Sequence, residues 1–197
     1  IDSRIDAMAG CSWQHFWRAG TYLEQNFRKS NVFQNTDYKT ENYLVSFFGR
    51  FNYILKDRYM LTFTLREDGS SRFSPETRWG LFPSAAFAWR IKEENFLKNS
   101  DAVSELKLRL GYGKTGNDQV GNYASYALAG STHYTFDGNG NFSGTSLNSG
   151  SPENTALRWE TTSQFDIGLD AGFFRGRLSL LMDFYSKLTE DLLVRVN

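Results

Sequence analysis

The sequence predicts an all-β fold in which about seven or eight long antiparallel strands form an open arc, a segment of a transmembrane β-barrel. Three observations favour this class. Apolar and polar side chains alternate along much of the chain, which is the period of a β-strand. Many alternating runs span about 10–13 residues, near the roughly 9–11 that a tilted strand needs to cross a bilayer. The connections also alternate between short and long, as they do on the two sides of an outer-membrane barrel.

The first strands are defined by alternation on either side of a short break. Residues 1–8 alternate like a strand, and residues 14–41 are expected to form a long connection. Regular alternation then covers residues 43–55 and 58–68. The break at 56–57 is short enough to predict a β-hairpin with a tight turn.

The remaining strands follow at longer intervals. Alternation covers residues 79–91, where Pro83 predicts a bulge or a strand end because proline cannot donate to a ladder. It returns over residues 106–113 and 159–172, and a short turn at 174–176 leads into the last strand. Counting strands places this turn and the first hairpin turn on one side of the sheet, so the long connections lie on the other side.

Residues 114–158 show little periodicity and are rich in Gly, Ser, Asn and Tyr, with one short strand expected over 123–129. A connection this long is usually functional, and the longer connections of outer-membrane barrels face outward. The sequence therefore predicts that 114–158 is a long extracellular loop. Its aromatic side chains offer faces for stacking on a bound molecule. The candidate contact residues are Tyr123, Tyr126, Tyr134 and Phe136.

The two faces of the predicted sheet differ in polarity. One face is expected to line a wet lumen because a charge facing the middle of a bilayer costs about 2–4 kcal/mol. The predicted lumen-facing residues are Arg50, Asn52, Thr62, Thr64, Arg66, Lys107, Arg109, Glu160, Gln164 and Asp166. The predicted lipid-facing residues are Phe47, Phe51, Leu61, Phe63, Leu108, Leu110, Phe165, Ile167, Leu180 and Met182. Aromatic residues near strand ends are expected to form interfacial girdles, and they are Tyr43, Tyr59, Trp79, Trp89, Tyr112 and Trp159.

Composition argues against several other classes. The 22 basic and 22 acidic residues give zero net charge, whereas a nucleic-acid binder needs an excess of Lys and Arg to neutralise phosphates. No enzyme activity and no cofactor are expected, because His15 and His133 both fall in loop-like segments and no nucleophile motif is present. Residues 137–141 have the oxygen spacing that opens a calcium loop. The glycine and the closing glutamate of that loop are missing, so a plain loop is favoured.

Four stretches of the sequence carry a family resemblance. They are SFFGRFNY with KDRYMLT (46–62), REDGSSRF with RWGLFPS (66–84), LKLRLGYG with TGN (106–117), and LRWETT with DFY and DLL (157–193). Together and in this order they resemble the barrel of SusC/RagA-type TonB-dependent transporters of the outer membrane. Residues 1–40 match that family more loosely.

This resemblance implies a function and a set of partners. Members of the family have a 22-stranded barrel plugged by an N-terminal domain, and a SusD-like surface lipoprotein covers the barrel and captures oligosaccharides or peptides. The TonB complex drives import by acting on a segment near the N-terminus. We therefore expect residues 1–197 to be part of such a barrel, without the plug domain and the signal peptide, in the outer membrane of a Gram-negative, Bacteroidota-type bacterium. Outer-membrane lipid would contact its apolar face.

Two alternatives belong to other classes of protein. A soluble β-sandwich that binds carbohydrate would also show alternating strands and exposed aromatic loop residues. An outer-membrane enzyme with its active site on the barrel rim is a further possibility, although the residues give it little support. Partition distinguishes the first alternative, because a lectin stays in buffer whereas a barrel segment needs detergent.

Overall fold

The computed structural model describes residues 2–25, 32–135, 142–149 and 152–193. Seven strands form a single antiparallel sheet in the order β1-β2-β3-β4-β5-β8-β9, which confirms the all-β prediction. Within the described residues, no helix has the length and apolar composition needed to span a membrane. The strands of the sheet are β1 (Ser3–Gln25), β2 (Val32–Leu55), β3 (Tyr59–Ser70), β4 (Trp79–Arg90), β5 (Val103–Asn117), β8 (Glu160–Phe173) and β9 (Leu178–Glu190). The remaining pair, β6 (Ala129–Thr135) and β7 (Phe142–Ser149), forms a separate hairpin.

The sheet is open. In the described part of the chain β1 pairs only with β2, and β9 pairs only with β8, so the first and last strands are both edges. This confirms the prediction of an open arc, because a closed small barrel would pair its terminal strands. A sandwich would need two sheets packed face to face, whereas these seven strands share one sheet.

Tight turns occupy one end of the sheet, which we call the turn end. Lys56 and Asp57 have φ angles of 52° and 50°, and the amide of Arg58 donates to the carbonyl of Leu55. Two successive left-handed residues define the type I′ turn, whose twist matches that of the flanking strands. The turn between β8 and β9 repeats this geometry, with φ angles of 53° and 57° at residues 174–175. The predicted hairpin turns are therefore confirmed.

The β1–β2 hairpin extends well beyond its neighbours at the opposite end, which we call the loop end. The β2–β3 ladder stops at the pair Leu44 and Ser70, but the β1–β2 ladder continues to Gln25 and Val32. At about 3.3 Å per residue, the extension is roughly 35 Å long. The prediction of a connection over 14–41 was wrong, because strand pairing continues through it. Most of the described side chains of this extension are exposed, so alternation of apolar and polar residues fades there. The exposed side chains along β1 include Trp13, Phe16, Trp17 and Tyr22.

The strand register separates two faces. Direct cross-strand partners lie on the same face, and one row of partners runs through Asn52, Thr62, Ala86, Gly111 and Asp166. The period of two then places all ten predicted lumen-facing residues on this face, which we call the polar face, and all ten predicted lipid-facing residues on the other, the apolar face. That the polar face lines a lumen stays a prediction.

Some charged residues depart from this division near the loop end, among them Lys114, which pairs with Ser163. Glu67 pairs with Phe47 and therefore also lies on the apolar face. It is two residues from Gly69, which pairs with Trp79, so it lies close to the loop end of the sheet. At that depth a carboxylate costs little, since the penalty for a charge falls towards the membrane interface.

A buried aromatic cluster lies on the polar face at the loop end. This rim cluster consists of Phe73, Phe82 and Trp159, packed with Leu44, Val120 and Leu157. Trp159 is only 7% exposed and its indole nitrogen donates to the carbonyl of Arg78 at 2.9 Å. The expectation that Trp159 belongs to an interfacial girdle was therefore wrong. The connections between β3 and β4 and between β5 and β8 fold inward and bury it, through Phe73, Val120 and Leu157.

Strands β4 and β5 separate near this cluster. Their ladder ends at the pair Ser84 and Gly113, while β4 continues to Trp79 in its pairing with β3. Pro83 stands just beyond the last β4–β5 pair, where its missing N–H costs no ladder bond. Strand β4 thus continues past Pro83, which pairs with Leu65 of β3. The predicted bulge or strand end does not occur in the β3–β4 ladder.

The long connection between β5 and β8 is partly ordered into strands. Strand β5 continues to Asn117, and the connection contains the β6–β7 hairpin, so the irregular part is shorter than the predicted 114–158. The short strand expected over 123–129 was wrong, because turns occupy this stretch. His15 and His133 lie in β1 and β6 rather than in loops. The calcium-like residues 137–141 lie outside the described residues.

Candidate functional site

An arginine fastens the outer connections to the end of the sheet. The guanidinium of Arg72 donates from Nε to Oδ1 of Asn122 at 3.1 Å and from Nη1 to the carbonyl of Asp118 at 3.0 Å. The hydroxyl of Ser70 donates to the carboxylate of Asp118 at 2.8 Å. The hydroxyl of Ser125, itself 2% exposed, donates to the carbonyl of Arg72. Residues 118–125 are thereby held against the loop end of β3.

The segment before this arginine is also internally paired. Arg66 donates from Nε to both carboxylate oxygens of Asp68 at 2.8 Å and from Nη2 to the hydroxyl of Ser46 at 2.9 Å. Asp68 and Ser46 are buried, whereas the side chain of Arg66 is 41% exposed, so water is excluded only from the carboxylate side of the ion pair. Charge-assisted bonds of this kind are stronger and more directional than neutral ones. The pair gives the polar face a rigid border just below the rim cluster.

One cleft at the loop end lies between the extended hairpin and the outer connections. This mouth cleft has a volume of about 740 Å³. The hairpin contributes Phe16, Arg18 and Asn42, all on the polar face by register. The connections contribute Gln119 and Asn122 among others. The cleft therefore combines an exposed aromatic ring with amide groups and an arginine.

Another cleft, which we call the tyrosine cleft, is smaller, at about 280 Å³. Tyr123 and Tyr126 line it from the connection, and Tyr43 lines it from β2. The hydroxyl of Tyr123 accepts a bond from the amide of Glu41 at 3.4 Å. Tyr123 has a φ of 66°. A bulky residue in this left-handed region is strained, and such strain is concentrated at binding sites. The other residues that line the tyrosine cleft are Glu41, Asn42, Ser71, Arg72, Arg78 and Asn122.

The predicted contact residues thus have different outcomes. The structure brings Tyr123 and Tyr126 together in one cleft, with their side chains 40% and 45% exposed. The backbone of Tyr134 lies in β6, paired with Gly144. Phe136 lies outside the described residues. Whether any of them contacts a substrate or a covering protein stays a prediction.

Sequence reasoning missed the hairpin and loop residues that line the clefts. Phe16, Arg18 and Asn42 fell within or beside the stretch expected to be a connection. Arg78 begins the RWGLFPS stretch, but nothing in the sequence gave its side chain a role in a cleft. Several aromatic residues between 13 and 22 were the available signal for a strand there, since aromatic residues are enriched in strands.

Several side chains of the polar face are paired, whereas Arg50 and Lys107 form no ion pair among the described residues. Arg109 donates from Nε and Nη2 to Asp170, and its Nη2 also reaches Asp183 at 2.8 Å. Gln164 donates to Asp166 at 2.8 Å. Other bonds on this face join Thr62 to Asn52 and Asn117 to Glu160. The carboxylates are thus engaged with amide or guanidinium partners, as expected for a hydrated wall. In the ranges that the structure describes, no cluster of potential metal ligands occurs.

At the turn end, a carboxylate joins two aromatic residues of the apolar face. Glu94 accepts bonds from the hydroxyl of Tyr59 at 2.5 Å and from the indole nitrogen of Trp89 at 3.1 Å. The two rings are stacked 6.2 Å apart, and Arg58 forms an ion pair with Glu94 at 3.2 Å. The bonds from Tyr59 and Trp89, with the charge of Arg58, lower the pKa of Glu94 below its usual value. We call this group the Glu94 clamp.

Comparison with known proteins gives the family. The family model described as TonB dependent receptor-like, beta-barrel matches residues 4–197. The chain is 43% identical to the TonB-dependent receptor SusC of Bacteroides thetaiotaomicron, over 96% of the chain and 20% of that receptor. It is 44% identical to TonB-dependent receptor P26 of Formosa agariphila, over 78% of the chain and 15% of that receptor. The chain thus spans about a fifth or less of the length of these relatives.

Solved structures agree with this assignment. The chain superposes over its whole length on 23% of a chain in the structure of the RagAB peptide transporter, with a TM-score of 0.80 and 32% identity. It also superposes on the RagAB peptide importer in the open-open state, with a TM-score of 0.79 and 30% identity. The family is one of outer-membrane transporters rather than enzymes. The chain belongs to the TonB-dependent receptor β-barrel family, and the SusC and RagA transporters are among its relatives.

Proposed function

We propose that this chain forms part of the wall and outer mouth of a barrel that imports oligosaccharides or peptides in a TonB-dependent manner. The observation that carries the proposal is the asymmetry of the sheet. The turn end has two type I′ turns, whereas the loop end has the extended hairpin, the long connection and both clefts. In outer-membrane barrels the short turns face the periplasm and the longer loops face outward. The structurally similar RagAB complex is a peptide transporter, which supports import of a polymer or its fragments.

The wall itself would act passively. Its polar face offers hydroxyl, amide and paired charged groups to a hydrated lumen, with Arg109 already neutralised by its two carboxylate partners. Its apolar face leaves large side chains exposed, such as Phe47 and Phe63 at 51% and 45%. A contiguous apolar surface of this kind requires cover, and lipid of the outer membrane would provide it.

The mouth would hold the substrate and meet the partner. The mouth cleft opens on the polar face and the tyrosine cleft lies beside it at the loop end, and their aromatic and amide groups suit sugars or peptide side chains. A SusD-like surface lipoprotein would cover this end of the barrel. The TonB complex would act through the N-terminal region of the whole receptor.

The proposal is tested by changing the long connection in the full-length receptor. Residues 132–148 are replaced by an epitope tag. We expect antibody to label the tag on intact cells and uptake to fall, while heat-modifiable migration shows that the barrel still assembles. A tag reachable only from the periplasm would overturn the assigned sidedness. Unchanged uptake would remove this connection from the mechanism.

A further inference from the structure

One arginine at the loop end lacks the pairing that similar arginines have. Arg78 lies just before β4, and its carbonyl accepts bonds from the amide of Ser70 and from the indole of Trp159. Arg78 is one of the residues that line the tyrosine cleft. The Nε atom of Arg78 is buried and has no hydrogen-bond partner among the described residues. A buried donor without a partner is costly, and such a group in a folded protein calls for an explanation.

Comparison with the other partly buried arginines makes this exception clear. Arg58 pairs with Glu94, Arg66 with Asp68, and Arg72 with Asp118. Each of these guanidinium groups also donates at least one hydrogen bond at 3.2 Å or less. In the described part of the chain, no carboxylate lies within 4 Å of the guanidinium of Arg78.

The other charges that face the tyrosine cleft do not compensate Arg78. Arg72 is bound to Asp118 and Asn122. Glu41 lines the cleft too, but its carboxylate lies 3.5 Å from the ring nitrogen of His15, which stacks on Tyr43. Among the described residues, the positive charge of Arg78 therefore has no acidic partner, and a bound carboxylate would supply one.

The cleft has the size and the lining of a site for one residue of a polymer. Its volume of about 280 Å³ lies just below the range of roughly 300–1,000 Å³ that is typical of sites for whole drug-sized ligands. Three tyrosines line it, and their rings offer flat faces while their hydroxyl groups offer hydrogen bonds. A guanidinium presents a planar fork of donors that matches a carboxylate.

We propose that the tyrosine cleft binds a carboxylate-bearing residue of the imported molecule, with Arg78 as its charged partner. The inference rests on the proposed import function and specifies the substrate class: an acidic oligosaccharide or an acidic peptide. The carboxylate would come from a uronic acid in the first case, and from an acidic side chain or the C-terminus in the second. In both cases the ring or chain that bears it lies against the tyrosines.

The test compares acidic probes with their neutral forms in cells that express the full-length receptor with its lipoprotein. One pair is an oligouronate and its carboxyl-reduced form, and the other is an acidic peptide and its fully amidated form. Arg78→Gln should lower uptake of the acidic member of the transported pair about tenfold or more, as expected for loss of a charge-assisted bond. Uptake of the neutral member should change by less than about twofold. Arg158→Gln, at an exposed arginine of the same end, is the matched control.

Two further variants keep the test decisive. Arg78→Lys keeps the charge without the fork and should fall between wild type and Arg78→Gln. Glu41→Gln replaces the carboxylate of the cleft lining. Because this side chain is partly exposed, assembly of the barrel should be unaffected. Uptake of the acidic probe should rise relative to uptake of the neutral probe. The inference would be overturned if Arg78→Gln lowered uptake of the acidic and the neutral member of a pair equally. It would also be overturned if the wild-type receptor imported only the neutral probes. Failure of the wild type to import any probe, oligosaccharide or peptide, would instead count against the import function.

Discussion

Replacing Phe73 by alanine tests whether the rim cluster holds the outer connection in place. Phe73 is fully buried, and its ring centroid lies 5.3 Å from that of Trp159. Truncating a buried phenylalanine costs about 3–5 kcal/mol, because apolar contacts are lost and a cavity remains. We expect the cost to appear as easier local opening of the adjacent connection, since Val120 packs against the same cluster.

The assay is hydrogen–deuterium exchange on the purified full-length receptor in detergent. The amides of Val120, Ala124 and Tyr126 each donate a local hydrogen bond, so their exchange reports opening of this segment. A cost of about 3 kcal/mol predicts roughly a hundredfold faster exchange at these amides. Phe63→Ala is the control, because Phe63 is 45% exposed on the apolar face and should leave the segment unchanged. If Phe73→Ala assembled normally and exchanged at the wild-type rate, the rim cluster would not be what fastens the connection.

Three further predictions concern the rest of the sheet. Replacing Lys56 and Asp57 by Asn and Gly should raise the thermal midpoint of the receptor in detergent, because a left-handed conformation costs an ordinary residue about 1–2 kcal/mol; a lower midpoint would contradict the type I′ assignment. Glu94→Gln should lower the stability of the receptor at every pH above 4.5, the ordinary pKa of the carboxyl group. The difference between wild type and variant should vanish as the pH falls below 4.5 and through the lowered pKa of Glu94 in the folded state. A difference between wild type and variant that grew on acidification would show the wrong sign. Asp170→Asn should lower the midpoint more than Asp183→Asn, since their side chains are 18% and 57% exposed and both bind one arginine; equal losses would mean that exposure does not govern these bonds.

The division into two faces could be predicted because strand alternation has a period of two. A register error of one residue would have exchanged the two faces. In the structure Asn52, Thr62 and Asp166 lie on the same face, as predicted. Membership of this family could also be predicted, because the motifs of strands and turns occur in order along much of the chain. These features depend on short segments of sequence and need no information on distant contacts.

The clefts could not be predicted, because they depend on contacts between segments far apart in sequence. Trp159 looked like an interfacial aromatic residue, and only the inward folding of residues 71–78 and 118–126 buries it. Arg78 looked like an ordinary basic turn residue, and the lack of a partner for its Nε emerges only when its neighbours are placed. The hairpin extension was missed for a different reason, since a strand with both faces exposed has no apolar face to mark its period.

The pairing order of the strands also has a consequence for how the sheet forms. Within the seven-stranded sheet, β1 to β5 each pair with the next strand in sequence, and so do β8 and β9. Strand β5 instead pairs with β8, which follows some forty residues later. Closing a loop of that length costs roughly 2 kcal/mol more chain entropy than closing a three-residue turn. The arc should therefore form as two units, β1–β5 and β8–β9, which join in a later step. The β6–β7 hairpin shortens the span of free chain between them and so lowers the entropy cost of joining.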